Sequence, residues 1–585
     1  MSPPARHHFQ HQHQHQHHQQ HQHFTGSLTY QLPVSLHPPE PIKKIKKKIT
    51  MDNWPQEIYD HVVSFIERRV GEADVPIWDH HRLPPAYPAI AVISRKFQVA
   101  VERYTFRRLR IHTTDPELDH LERALTTSRR RRALRNLSLT IVLPSYPPVS
   151  YTEFETDRDR SANNEAVTAT LARVFRILTA GDSQDSSSTA PALDLEIAGA
   201  YSPPDKRERP TLPPSPSPDG QFGIRPDLYG RRYAFSLLDL TPDVVDFPPL
   251  PCVRSFSFSH GIRIWNPRVA VLLTAKMVKA TRADWDLSYM ENGWGRYMRI
   301  DQLYRDSLVE SIECTTLPAA TTNFRCALKS PQASNVETLP RFVAAESHDP
   351  VSCALRHLTR NCTQVSVEGP IHFSFFDPPS GVLGGDALCW QHLAELRVKV
   401  DMRGPEGSWL FRLEDNDATT TANASDSTTE LQQILPPGYG ETEEEREEAE
   451  EYYDDHQDII FLSQQQQQQQ DDSSRSIPDD VQMNTLLTAV ARACSRLPAL
   501  QVAVLEAEHD NDDNWPFQVS CVAAGKPFGS WDTEYADGTG SWRVYLHVDE
   551  WRPAETTLRE FKMVGRARGG PESTVCFLPW GTFDY

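Results

Sequence analysis

The chain has 585 residues, and its 60 Lys and Arg against 79 Asp and Glu leave a formal net charge of −19 at pH 7. That acidic balance argues against general affinity for nucleic acid through the phosphate backbone, and no apolar run approaches the roughly 20 residues that span a bilayer. Nine cysteines, odd in number and without a C-x-x-C pair, read as buried thiols of a reducing compartment rather than a disulfide frame. With 46 prolines and several biased tracts, a good part of the chain is expected to be disordered. A soluble protein of the cytoplasm or nucleus is expected.

Residues 1–50 are expected to form a disordered, His/Gln- and Lys-rich polar tail, unlike a secretory signal. From His7 to His23 it largely alternates His and Gln. Clustered imidazoles can hold metal weakly, but nothing fixes their geometry, so the tract reads as low complexity and no metal or other cofactor is assigned. Lys43 to Lys48 has five lysines in six positions, a nuclear-localisation pattern or a solvated basic linker. The segment 51–111 is predicted to form two amphipathic helices and a short strand. Trp54, Ile58, Val62 and Phe65 recur at helical spacing, and Pro55 suits a first turn, where its missing N–H costs nothing. The second helix carries Ile90, Ile93, Phe97, Val101 and Tyr104, with Ser94, Arg95, Lys96, Glu102 and Arg103 on its wet side, and leads to the strand Leu109–Ile111. A unit of about fifty residues is near the lower limit for an independent core. Two broad apolar stripes in it suggest a partner that covers one of them.

The pattern Trp54-Pro55-x-Glu57-Ile58-Tyr59-x-x-Val62-Val63-x-Phe65-Ile66 resembles the first helix of an F-box, and Ile93-Ser94-Arg95-Lys96-Phe97 resembles its second block, V-[CS]-[KR]-x-W. Trp54 and Phe97 replace the more usual Leu and Trp, and the Glu67–Pro88 loop is longer than in most F-boxes. The resemblance implies a non-catalytic substrate receptor of an SCF-type ubiquitin ligase. Its F-box would dock on a Skp-family adaptor, and through that on a cullin scaffold, while the rest of the chain would hold a protein substrate. It points to Trp54, Pro55, Ile58, Val62 and Phe97 as adaptor contacts, some of which could instead belong to the F-box's own core.

From 112 to 402 helical and strand patterns alternate: a helix with Leu118, Leu121 and Leu125, the basic run Arg129 to Arg132 as a solvated face, the strand Leu137–Ile141, a helix from about Glu165, and a strand at Leu193–Ile197. A Pro-rich loop at 202–220 interrupts them. Further units follow at Val253–Phe258, Val269–Met277, Trp285–Leu287, Ile300–Ile312, Leu355–Val367 and Trp390–Val400. Residues 403–478, with an acidic run at Glu441–Asp458 and the tract Gln464–Gln470, read as a disordered insertion. The alternation resumes over 479–585 with Leu486–Val504 and with Trp542, Val544, Leu546 and Val548 as a half-buried strand. The expected fold is therefore α/β: a small all-helical unit, then an irregular leucine-rich-repeat-like array of helix–strand units, each covering its neighbour's apolar face. This order, with aromatic-rich strands such as Ile371–Phe376 and the Leu497-Pro498-Ala499-Leu500 helix exit, resembles fungal F-box proteins whose C-terminal region has no assigned role.

No phosphate-binding loop, H-E-x-x-H, paired Cys/His zinc pattern or G-x-S-x-G elbow occurs. Cys353 and Cys362 near His357 read as ordinary core and edge. A nuclear scaffold acting outside a ligase is the second reading, and an enzyme hidden in the α/β region the weakest.

Overall fold

The computed structural model describes residues 54–71, 86–147, 150, 155–180, 193–206, 232–233, 236–241, 247–288, 298–328, 343, 348–378, 390–412, 444, 447, 451, 477–507, 517–528, 540–548 and 550–578. The readings of the His/Gln tract, the Lys43–Lys48 run and most of the long insertion lie outside them. The helices and strands all belong to one compact unit, Pro55–Tyr585.

Among the described residues three helices come first, where the sequence pattern suggested two: α1 (Gln56–Gly71), α2 (Ala86–Ala91) and α3 (Arg95–Thr105). The expected second helix is broken because Ser94 takes an extended backbone and its Oγ accepts from Phe97 N at 3.2 Å. A serine in that role satisfies one of the N–H groups that a helix start leaves unpaired. Glu102, expected on the wet side, is instead buried.

Beyond α3 the chain is mixed α/β, built on a large, mostly parallel sheet. Strands β1 (Arg108–His112), β2 (Asn136–Val142), β3 (Leu193–Tyr201), β4 (Val253–Ser259), β5 (Arg282–Asp286), β6 (Asn323–Ala327), β7 (Gln364–Gly369) and β8 (Glu395–Val400) lie side by side in chain order, all parallel. Two short strands, β9 (Phe411–Arg412) and β10 (Ile477–Pro478), pair antiparallel, which brings the two ends of the long interruption together. The main sheet resumes with β11 (Val502–Ala507), parallel to β8, and ends with β12 (Phe517–Val522), β13 (Arg543–His547) and β14 (Thr574–Phe577).

The register lines residues up across all twelve strands. One row runs Leu109, Leu137, Leu195, Phe256, Ala283, Phe324, Val365, Leu396, Ala503, Cys521, Val544 and Val575. Two residues away on each strand a second apolar row runs from Ile111 and Leu139 through Phe258, Trp285 and Val367 to Leu546 and Phe577. Because side chains alternate along a strand, both rows face the same side. Helices α4 (Asp115–Leu125), α6 (Asp157–Thr179), α7 (Arg268–Lys276), α8 (Met298–Glu313), α9 (Pro350–Leu358), α10 (Asp480–Arg496) and α11 (Glu555–Ala567) join them in one continuous core, with the short α5 (Ser128–Ala133) near its start. Two buried indoles are satisfied in the same way: Trp285 Nε1 donates to Thr274 Oγ1 at 2.9 Å and Trp390 Nε1 to Thr359 Oγ1 at 3.0 Å.

Several expectations change. Ile371–Phe376 is not a strand: Phe373–Phe375 makes one 3-10 turn that drives Phe375 and Phe376 into the core. The Pro-rich loop is packed at its start, where Ser202 and Asp205 are buried. Strand β13 is buried on both faces, Arg543, Tyr545 and His547 included.

A buried polar network joins the ends of β2, β3 and β4. Arg263 Nη2 donates to Glu155 Oε2 at 2.7 Å with both side chains out of solvent, the Tyr146 hydroxyl donates to Asp205, and the Tyr233 hydroxyl donates to Asp205 Oδ1 at 3.0 Å. Beside it His260 is fully inside: its Nδ1 accepts from Trp265 N at 3.1 Å and its Nε2 meets the Tyr304 hydroxyl at 3.0 Å. Burial depresses the His260 imidazole from an ordinary 6.5 to about 4, and His547 likewise. The unfolded chain then binds protons that the folded chain refuses between pH 6.5 and 4, so stability is full above that window and falls as pH drops through it. Urea unfolding between pH 7.5 and 4.5 should show stability level above pH 6.5 and then a loss approaching roughly 1.4 kcal/mol per pH unit for each such histidine. A flat profile across the window would contradict the burial of these rings as neutral groups.

Candidate docking surfaces

In the three-helix unit the apolar residues divide into a core and an exposed set. Tyr59 and Phe97 meet edge to face with centroids 4.6 Å apart, and Val63, Ala100 and Val101 are buried. Asp60 Oδ2 accepts from Arg103 Nη1 at 2.6 Å, and the Gln56 side-chain amide donates to Lys96 O at 3.1 Å, so α1 and α3 are tied on the wet side as well. Ile58 is left 39% exposed, Val62 36%, Val92 85% and Ile93 60%. Of the residues singled out from the sequence, Pro55, Ile58 and Val62 are exposed, Trp54 is half-buried, and Phe97 lies in the core, 5% exposed. Phe97 is thus a support beneath the surface. Val92 is an exposed apolar residue that sequence reasoning missed, because the break at Ser94 that turns it outward lay inside an apparently continuous helix.

The unit is fastened to the first helices of the sheet region. Glu102 of α3 accepts from Arg130 Nη2 at 2.9 Å and from Arg129, both on α5. Burial alone pushes the Glu102 carboxyl up, but its hydrogen bonds to Arg130 and Arg129 hold it below the ordinary carboxylate range. The basic run read as a solvated face therefore carries two arginines with a structural role. Arg131 adds a third contact, donating from Nη2 to Leu125 O at 2.7 Å.

A second surface is the sheet face away from the two apolar rows. Between those rows a third runs Arg110, Ser138, Glu196, Ser257, Asp284, Arg325, Ser366 and Arg397 from β1 to β8. Its charged members are exposed or half-buried. The sequence signal is an apolar-x-apolar triplet in every strand, from Leu109-Arg110-Ile111 to Leu396-Arg397-Val398, with the row formed by each middle residue. Several charges are neutralised within the face: Asp194 by Arg254 at 2.9 Å, Asp284 by Arg282 at 2.8 Å, Glu395 by Arg397 at 2.7 Å and Glu368 by Lys399 at 3.3 Å. At β11 the row turns apolar with Val504.

Among the described residues no group of three or more His, Cys, Asp or Glu is placed to hold a metal. Burial raises the thiols of Cys353 and Cys362 and lowers His357, whose ring is also met by Arg360 Nη1 at 2.5 Å. No described helix is long and apolar enough to cross a membrane. No protein-family description, curated protein or solved structure matches the chain.

The division between core and surface is testable. Phe97→Ala should cost about 3–5 kcal/mol of stability, since it empties the centre of a small core. Ile58→Ala, at a partly exposed position, should stay within about 1 kcal/mol. Denaturant unfolding separates the two, and comparable losses would mean that Ile58 is part of the core.

Proposed function

We propose that the chain is a substrate-recognition subunit of an SCF-type ubiquitin ligase. In this reading the three-helix unit is an F-box that docks on a Skp-family adaptor, and the helix–strand array is an irregular leucine-rich-repeat-like platform for a protein substrate. The observation that carries it is the exposed set Ile58, Val62, Val92 and Ile93, borne by the segments that resemble an F-box. Isolated apolar residues on a surface are ordinary, but four in so small a unit, over a tied core, suit a partner that removes them from water. Chain-order parallel strands with helices on one side are what a stack of repeats produces, which supports the platform.

The chemistry is proximity. Two binding surfaces held on one body raise the concentration of the substrate's lysines at the transferring enzyme, and the receptor itself needs no catalytic group. The Glu102 clamp on Arg129 and Arg130 serves this role by limiting motion of the adaptor-binding helices against the platform.

Co-expression with a Skp-family adaptor and a cullin tests the proposal. The full chain should bring down both. Ile58→Asp combined with Ile93→Asp should lower adaptor capture more than tenfold, because apolar anchors at an interface centre are worth about 2 kcal/mol or more each. Both positions are exposed, so the melting temperature should hold. Absence of adaptor from the wild-type pull-down would end the F-box reading.

A further inference from the structure

Once the internal ion pairs of the open sheet face are set aside, a simple charge order remains. Arg108 and Arg110 on β1, Glu196 on β3, Asp286 on β5 and Arg325 on β6 are exposed, and none has an ion-pair partner among the described residues. Asp286 only accepts from the backbone N of Ser288, at 3.2 Å. Between the acidic positions lies β4, which presents Ser255, Ser257 and Ser259 on this face. Across the strands the uncompensated charge therefore reads basic, acidic, acidic, basic, with neutral Asn136, Ser138 and Thr140 of β2 separating the first two.

We infer that this face, from β1 to β6, takes an extended segment of a partner protein lying across the strands, acidic at both ends and basic in its middle. The inference deepens the receptor reading and rests on it for calling the partner a substrate. The spacing sets the pattern. Neighbouring strands lie ~4.8 Å apart, so β3, β5 and β6 are about 10, 19 and 24 Å from β1. At about 3.4 Å per residue of extended chain, an acidic residue over Arg110 calls for basic residues about three and six positions on, and an acidic one about seven positions on. Charges placed in this way select partners through both attraction and repulsion, since a segment of the opposite order meets like charge at every step. A nucleic acid, uniformly anionic, would meet Glu196 and Asp286 at the centre of the face.

The test uses the full chain and two labelled peptides in fluorescence anisotropy at low and moderate salt. One is EESSKSSKE, which matches the deduced order; the other has the same composition with its lysines at the ends. The ordered peptide should bind at least fivefold tighter, with the advantage shrinking as salt rises. Glu196→Lys should abolish the preference, and exchanging the peptide's first lysine for glutamate should restore it against that variant. Equal binding of the two peptides, binding of neither, or a preference unchanged in Glu196→Lys would overturn the inference. Adaptor capture is read in parallel. A chain that discriminates the peptides but captures no adaptor fails the receptor reading and keeps the charge map, and the reverse result does the opposite.

Discussion

The structure depends on strand register. Two apolar rows, one through Leu137 and Phe256 and one through Leu139 and Phe258, can be buried together only if every parallel neighbour stays in step. Side chains alternate with period two, so a slip of one residue would turn both rows toward water and the polar row toward the helices. The helices reinforce the choice, because each lays its own apolar face on the rows in one shared core. The register shifts only locally, between Leu193 and Asp194 of β3 against β4 and after Leu139 of β2 against β3; at the second place Gly199, at φ +106°, comes so close to Gly261 that a Cβ there would lie 2.6 Å from the Gly261 Cα. Only glycine permits that approach.

The open face is a product of the same constraint. Positions between the apolar rows are forced to the other side, and what stands there is free to vary in charge. At the C-terminal end the rule changes. From β11 to β13 the pairing turns antiparallel, and the open-face residues Val504, Val522 and Tyr545 are buried. Phe528 stacks on Tyr545 with centroids 6.4 Å apart, and Arg543 donates to Lys526 O, so the chain after β12 covers its own sheet there. The open face therefore ends near β8.

Much of this was legible in the sequence and some was not. Segments with an apolar-x-apolar triplet of large residues, such as Leu195-Glu196-Ile197 and Val365-Ser366-Val367, read plainly as strands. Strand β6 escaped notice because its second row is filled by Cys326, and β14 because it has only four residues. Strand β12 alternates over Phe517, Val519 and Cys521 against Gln518 and Ser520, but its last apolar position is again a cysteine, and the polar residues between are buried too. Phe97 shows the other limit: its spacing marks it as part of an apolar stripe, but only Tyr59 at its edge shows that the stripe is internal there. Glu102 looked like a solvated helix position because its partners, Arg129 and Arg130, lie 27 and 28 residues away.

A single sheet runs across the long interruption: β8 and β11 pair as direct neighbours although 101 residues separate Val400 from Val502. Inserting a specific protease site near residue 440, cutting, and measuring the size of the product tests it directly. The two pieces should stay together and migrate as the intact protein, because separating them would expose Leu396 and Val398 on one and Ala503 and Leu505 on the other, along with their backbone groups. Pieces that part as two stable, monomeric domains would contradict the continuous sheet.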